Sequence, residues 1–197
     1  MKETLILASS NPHKVEEINK MIPSTWDLEI KSLKDIGFTD EIEETASTLE
    51  GNAFIKSNYI YQKLNCKVFS EDTGLEVQAL NGAPGVYTAR YGGPEKDADQ
   101  NMNKLLKELH NISDRHARFR TIISLIWDGE ETQFEGIVEG RIAFERQGEG
   151  GFGYDPIFIP DGYDQSFAAL DPEIKNGMSH RARASEKLFS FIESKLK

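Results

Sequence analysis

Cysteine is almost absent from this chain. Cys66 stands alone among 197 residues, and one thiol cannot close an intramolecular disulfide, which fits a reducing cytosol. Long apolar runs are also missing: Ile122 to Trp127, one of the longest, falls far short of the roughly 20 residues of a membrane-spanning helix. Basic residues are outnumbered, with 23 Lys+Arg against 33 Asp+Glu and a formal net charge of −10. That balance argues against a nucleic-acid binder, whose affinity rests on a basic surface, but leaves room for a small anionic ligand held by local cations. There is no G-x-x-x-x-G-K-[ST] loop, no H-E-x-x-H and no paired C-x-x-C, so P-loop and zinc chemistry are not indicated. Met1-Lys2-Glu3-Thr4 lacks a signal-peptide pattern, and a cytoplasmic location is expected.

What remains is ordinary soluble-protein composition, 38% hydrophobic and 28% charged, at a length near the upper end for one compact domain. Leu5 to Ser9 reads as a short strand, followed by Asn11 placed to cap a helix that opens on Pro12 and repeats Val15, Ile18, Met21 and Ile22 at helical spacing. Trp26 to Ile30 alternates like a strand. Thr48 is placed to cap a helix to about Leu64, with Ala53, Ile60 and Leu64 on one side and Asn52, Lys56 and Tyr59 on another. Asp97 to Leu109 is amphipathic. Ala117 to Trp127 and Thr132 to Arg146 form a hairpin pattern about Asp128-Gly129-Glu130-Glu131, with Gly136 and Gly140 marking bulges or close backbone approach. Pro156 to Pro160 holds a short strand, and Ser179 is placed to cap a last helix carrying Leu188, Ile192 and Leu196. Strands and helices mix in both halves, which predicts an α/β fold with a mixed sheet.

The most informative stretch is Ser70-Glu71-Asp72-Thr73-Gly74-Leu75. It predicts two strands, Cys66 to Ser70 and Leu75 to Leu80, on either side of a turn that presents adjacent carboxylates. Like charges side by side repel, and a divalent cation such as Mg²⁺, which takes carboxylate oxygens, relieves that cost. Ser9-Ser10-Asn11-Pro12-His13-Lys14 offers hydroxyls, a helix start and a lysine, the parts of a phosphate cradle. Gly148-Glu149-Gly150-Gly151-Phe152-Gly153 matches G-x-G-x-x-G, but Tyr154-Asp155-Pro156 cannot start the helix that a dinucleotide site requires. The loop instead lets backbone approach a flat base, with Phe152 as a stacking plate or a core residue. His180 and Arg181 open a helix where cations are disfavoured by the macrodipole, which suggests an anionic or carbonyl-bearing ligand, and Asp171 to Lys175 forms a capped turn presenting Lys175 to the same region.

In order along the chain, ASSNPHKVEEI, EETASTLEGNAFIKS, SEDTGLEVQALNGAPGVYTARYGG, GEGGFGYDPIFIP and ALDPEIKNGMSHRARA resemble the inosine triphosphate pyrophosphatase family. The resemblance implies one elongated, two-lobed α/β domain over residues 1–197, with a long mixed sheet flanked by helices and a cleft between the lobes. It further implies a homodimer, Mg²⁺ dependence and a nucleotide substrate, with neither nucleic acid nor membrane as partner. Residue by residue it assigns Ser9, Ser10, Asn11, Pro12, His13 and Lys14 to triphosphate binding, and Glu43 to the metal. Asp72 becomes the catalytic acid and metal ligand, Glu71 its metal or water partner, and Thr73 a substrate-contacting hydroxyl. Phe152, Gly153, Tyr154, Asp155, Lys175, His180 and Arg181 become nucleotide-binding positions. Glu71 replaces the Asp that bacterial relatives often carry, and Ser10 a Gly.

The expected reaction is hydrolysis of ITP, dITP and XTP to monophosphate and pyrophosphate, cleansing the nucleotide pool. Asp72 or Glu71 would activate water, Lys14, Lys56 and Lys175 would align the phosphates, and the Ser179-His180-Arg181 donors would meet the C6 oxygen of the purine. Asp72 as chiefly ligand or chiefly base stays open at this point. The alternatives are a septum-inhibitor-like pyrimidine nucleotide pyrophosphatase and a nucleotide-binding module without turnover.

Overall fold

The computed structural model describes residues 3–22 and 26–196, so the Met1-Lys2 part of the N-terminal reading lies outside the described residues. The chain divides into two compact units. One comprises the chain up to Asp72, Thr121–Gly136 and the residues from Arg181 on; the other comprises Thr73–Arg120 and Ile137–His180.

The strands are β1 (Glu3–Leu7), β2 (Leu28–Ser32), β3 (Val68–Val77), β4 (Pro84–Gly85), β5 (His116–Trp127), β6 (Glu130–Ile142) and β7 (Phe158–Pro160). The helices are α1 (Pro12–Met21), α2 (Leu49–Leu64), α3 (Ala98–Glu108), α4 (Pro172–Met178) and α5 (His180–Leu196). Hydrogen bonding orders the strands β2-β1-β3-β5-β6-β7, with β4 on β3. β1 runs parallel to β2 and β3, while β3–β4 and β6–β7 are antiparallel, so the sheet is mixed as expected.

In the first unit, period-two alternation sorts each strand into two faces. Leu5 and Leu7 of β1, Phe69 of β3, and Ile123, Leu125 and Trp127 of β5 pack with Ile18 of α1 and Leu188 and Ile192 of α5. Their neighbours Ile6, Val68 and Ile126 pack with Ile60 of α2. Each fully buried Leu, Ile or Phe stabilises by about 1.5–3 kcal/mol, so both helical layers are firmly held. The second unit closes over Leu75, Val77, Met102, Leu105, Phe119, Val138, Phe158 and Phe167.

Local signals placed several elements well. Asn11 Oδ1 accepts from the N–H groups of His13 and Lys14, with Pro12 as the first residue of α1. Thr48 Oγ1 accepts from Gly51 N–H at 3.1 Å at the start of α2. Asp128 and Gly129, both with positive φ, make the turn between β5 and β6. Gly140 lies against Ile159 O and the Phe158 ring, where a Cβ would not fit, so close backbone approach accounts for that glycine.

Other expectations shift. The Trp26–Ile30 strand begins instead at Leu28 and runs to Ser32. Leu196, expected in the buried stripe of the last helix with Leu188 and Ile192, is exposed at the helix end. The largest correction concerns the acidic turn, which does not exist. β3 passes unbroken from Val68 to Val77 through Glu71 and Asp72, and Gln78–Leu80 is a short 3-10 turn rather than strand.

Candidate active site

Adjacent residues of a strand point to opposite faces, so Glu71 and Asp72 do not share one environment. Glu71 lies on the Phe69 face, toward α1 and α5; Asp72 lies on the Val68 face, toward α2. The cations that allow carboxylates inside a strand come from those helices.

Glu71 is buried. Arg181, at the start of α5, donates from Nε to Oε2 at 2.8 Å and to Oε1 at 3.1 Å, and from Nη2 to Oε1 at 2.9 Å. Lys14 Nζ of α1 lies 3.0 Å from Oε1, and the remaining Arg181 nitrogen, Nη1, reaches Glu17 Oε2 at 2.5 Å. Burial pushes the Glu71 carboxyl up, but Arg181 and then Lys14 outweigh it and hold it well below the usual carboxylate range. Burial likewise opposes the Arg181 charge, and Glu71 and Glu17 overturn that and raise its pKa. Two cations meet two carboxylates, and the cluster balances. At its helix start Arg181 therefore meets protein carboxylates, Glu71 and Glu17, where the sequence led us to expect the purine oxygen. Glu71 is held by Arg181 and Lys14, and Lys14 also pulls on the Asp72 carboxyl.

On the opposite face, Ser70 Oγ donates to Ala53 O of α2, tying strand to helix. One turn further along α2, Lys56 Nζ lies 3.3 Å from Asp72 Oδ1 and 2.5 Å from Glu44 Oε1. Burial opposes the Lys56 charge, yet Asp72 and Glu44 leave its pKa raised. Burial pushes the Asp72 carboxyl above the ordinary aspartate value, and the like charge of Glu44 adds to this against the pull of Lys56 and, more weakly, of Lys14. Here two carboxylates meet at one lysine. The sequence reading named Glu43; the structure leaves Glu43 exposed and brings Glu44 to Lys56. Glu17 was missed as well, although its i+3 spacing from Lys14 on α1 was a readable signal.

The remaining phosphate-loop positions surround the α1 start. Ser9 Oγ accepts from Asn11 N–H at 3.2 Å, and Ser10, Pro12 and His13 are exposed.

In the second unit, Lys175 of α4 is buried with Nζ 2.8 Å from Asp155 Oδ2 and 4.9 Å from the centre of the Phe152 ring. The same Asp155 oxygen accepts from Phe152 N–H at 2.7 Å, so one carboxylate sets both the loop and the lysine. Gly151, at φ +75°, sits so close to Asp155 that a Cβ would collide with its carboxylate. Gly153 has φ +63°. Tyr154 is buried in the core and donates to Thr88 O at 3.0 Å. His180 is buried and stacks on Phe119 with ring centres 4.6 Å apart. Thr73 is half-buried on β3.

Comparison with known proteins matches this arrangement to a family. The profile of the Ham1 family matches residues 5–191. The dITP/XTP pyrophosphatase of Flavobacterium johnsoniae is 48% identical, covering 95% of this chain and 97% of its own length. That of Bacillus subtilis is 47% identical, covering 98% of both chains. Among solved structures, the Ham1 protein of Staphylococcus aureus superposes with a TM-score of 0.90 at 40% identity, covering 98% of this chain and 100% of its own. With a profile match across both units and relatives at this identity over nearly their whole length, the chain belongs to the Ham1 family.

Proposed function

We propose that this chain hydrolyses dITP, XTP and ITP to the nucleoside monophosphate and pyrophosphate. The observation that carries the reading is the cluster of Asp72, Glu44 and Lys56, where burial and a neighbouring carboxylate hold the Asp72 carboxyl above the ordinary aspartate value. Its relatives named dITP/XTP pyrophosphatase support the substrate class.

The donor set also bears on Mg²⁺. Among the described residues, no group of three or more His, Cys, Asp and Glu side chains gathers as a complete metal site. Mg²⁺ commonly takes one or two carboxylates and leaves its other positions to substrate phosphates and water, and Asp72 with Glu44 fits that pattern. When bound there it would neutralise charge on the phosphate oxygens.

Asp72 takes the proton of the attacking water. The water oxygen bonds to the α-phosphorus, the bond from that phosphorus to the bridging oxygen breaks, and pyrophosphate leaves with that electron pair. Lys56 fixes the Asp72 carboxylate in place, and the exposed α1 start with Lys14 binds phosphate. Lys175 and Asp155 set a donor beside an acceptor, which suits the C6 oxygen and N1–H of an oxopurine and opposes the amino group and bare N1 of adenine. Phe152 stacks on the base.

The proposal extends to a cytoplasmic homodimer, as the motif resemblance implies; light scattering at micromolar concentration tests the dimer. Incubation with Mg²⁺ and a panel of dITP, XTP, ITP, dATP, GTP, UTP and CTP tests the function. Turnover confined largely to the first three supports it, and turnover of pyrimidine nucleotides alone, or of none, overturns it.

A further inference from the structure

Asn52 is fully buried on α2, in a motif whose other members the reaction already uses. Its Oδ1 accepts from Ala46 N–H at 2.9 Å, while among the described residues no group accepts from its Nδ2. An amide buried with an unmet donor weakens a fold, and a residue serving stability alone would be apolar here.

The placement of Asn52 gives it another use. Asn52 and Lys56 are four residues apart and lie on one face of α2, separated by about 6 Å along the axis. Their partners, Ala46 and Glu44, are two residues apart in the segment before the helix, and two residues reach at most about 7 Å. The segment therefore lies along α2 pinned at two points: Ala46 by Asn52, Glu44 by Lys56. Close packing supports the first point, since a Cβ on Gly51 would fall 2.5 Å from Ala46 Cβ. Of the two pins, only Lys56 is an ion pair, and it is shared with Asp72.

We propose that Asn52 is a positioning residue, a latch that holds the 44–46 segment against α2 so that the Glu44 carboxylate stays at Lys56, the lysine it shares with Asp72. The inference rests on the hydrolytic reading above, but its structural half is tested separately. In the full-length protein the Ala46 amide exchanges slowly with solvent, and Asn52→Leu speeds it about tenfold, the loss of one hydrogen bond. Ala46 is half-buried, so water replaces the lost acceptor, and the unfolding midpoint of Asn52→Leu is no lower than that of the parent. Asn52→Asp keeps the acceptor and retains the protection. For dITP hydrolysis, Asn52→Leu lowers kcat with little change in KM, and Asn52→Leu combined with Glu44→Gln loses no more than Glu44→Gln alone, because residues acting as one unit are not additive.

Fast exchange of Ala46 in the parent protein, or losses that simply add, would overturn the latch. Were the parent protein inactive on dITP, the functional reading alone would fall, and the Ala46 exchange rates would still decide whether the latch exists.

Discussion

Removing the guanidinium of Arg181 separates two roles that its place at the start of α5 could serve. In the structure it makes three hydrogen bonds to Glu71 and one to Glu17, and both it and Glu71 are buried. Arg181→Met keeps the bulk and leaves the Glu71 carboxylate with Lys14 alone. Breaking a buried pair by deleting one partner costs about 3–5 kcal/mol, and the surviving Lys14 contact points to the lower end. At about 2–4 °C per kcal/mol for a chain of this size, the expected fall in Tm is about 6–12 °C at pH 7. Arg181→Met combined with Glu71→Leu removes the stranded charge and recovers most of that loss. The pH dependence has a definite sign. The Glu71 pKa is depressed by folding, so its contribution is full above the ordinary value of 4.5 and is lost as pH falls toward the depressed value. In the variant, the stranded carboxyl protonates more readily and is relieved by acid. The gap in Tm between parent and variant is therefore widest above pH 4.5 and narrows below it. Thermal unfolding followed by circular dichroism from pH 7 to pH 3 reads both effects. An unchanged Tm together with loss of discrimination between dITP and dATP would refute the reasoning and return Arg181 to the base.

Three further substitutions bear on the Asp72 side of the strand. Asp72→Asn should lower kcat by about 10²–10⁴-fold while leaving the circular dichroism spectrum unchanged, since the amide keeps the shape and loses the proton-accepting charge; near-normal turnover would make the acid structural. Glu44→Gln should raise the Mg²⁺ concentration for half activity by about tenfold or more, whereas Glu43→Gln should leave it nearly unchanged, and the reverse order would restore Glu43.

What the sequence disclosed follows from how far apart interacting groups lie along the chain. Asn11 caps α1 and Thr48 caps α2 through bonds that span two or three residues, and a reader of the sequence has both partners in view. The motif order likewise pointed to the right family. The environment of Glu71 was not legible, because Arg181 lies 110 positions away and only folding brings it in. Without that cation, two acids in an apolar stretch argue for a turn; with it, the strand continues and the acids part to opposite faces. Glu43 and Glu44 are neighbours in a segment without helix or strand periodicity, so no pattern could tell which of them folding would bring to Lys56. Tyr154 and His180 carry polar groups that suggest ligand contact; folding brings the Tyr154 hydroxyl to the Thr88 carbonyl and the His180 ring onto Phe119, contacts too distant in sequence to read.

The central claim is that water, with Asp72 accepting its proton, attacks the α-phosphorus. Hydrolysis of dITP with Mg²⁺ in ¹⁸O-labelled water, with the products resolved by mass spectrometry, tests it most directly. The account predicts labelled deoxyinosine monophosphate and unlabelled pyrophosphate, with no diphosphate formed on the way. Label in the pyrophosphate, or release of inorganic phosphate with deoxyinosine diphosphate, would contradict it.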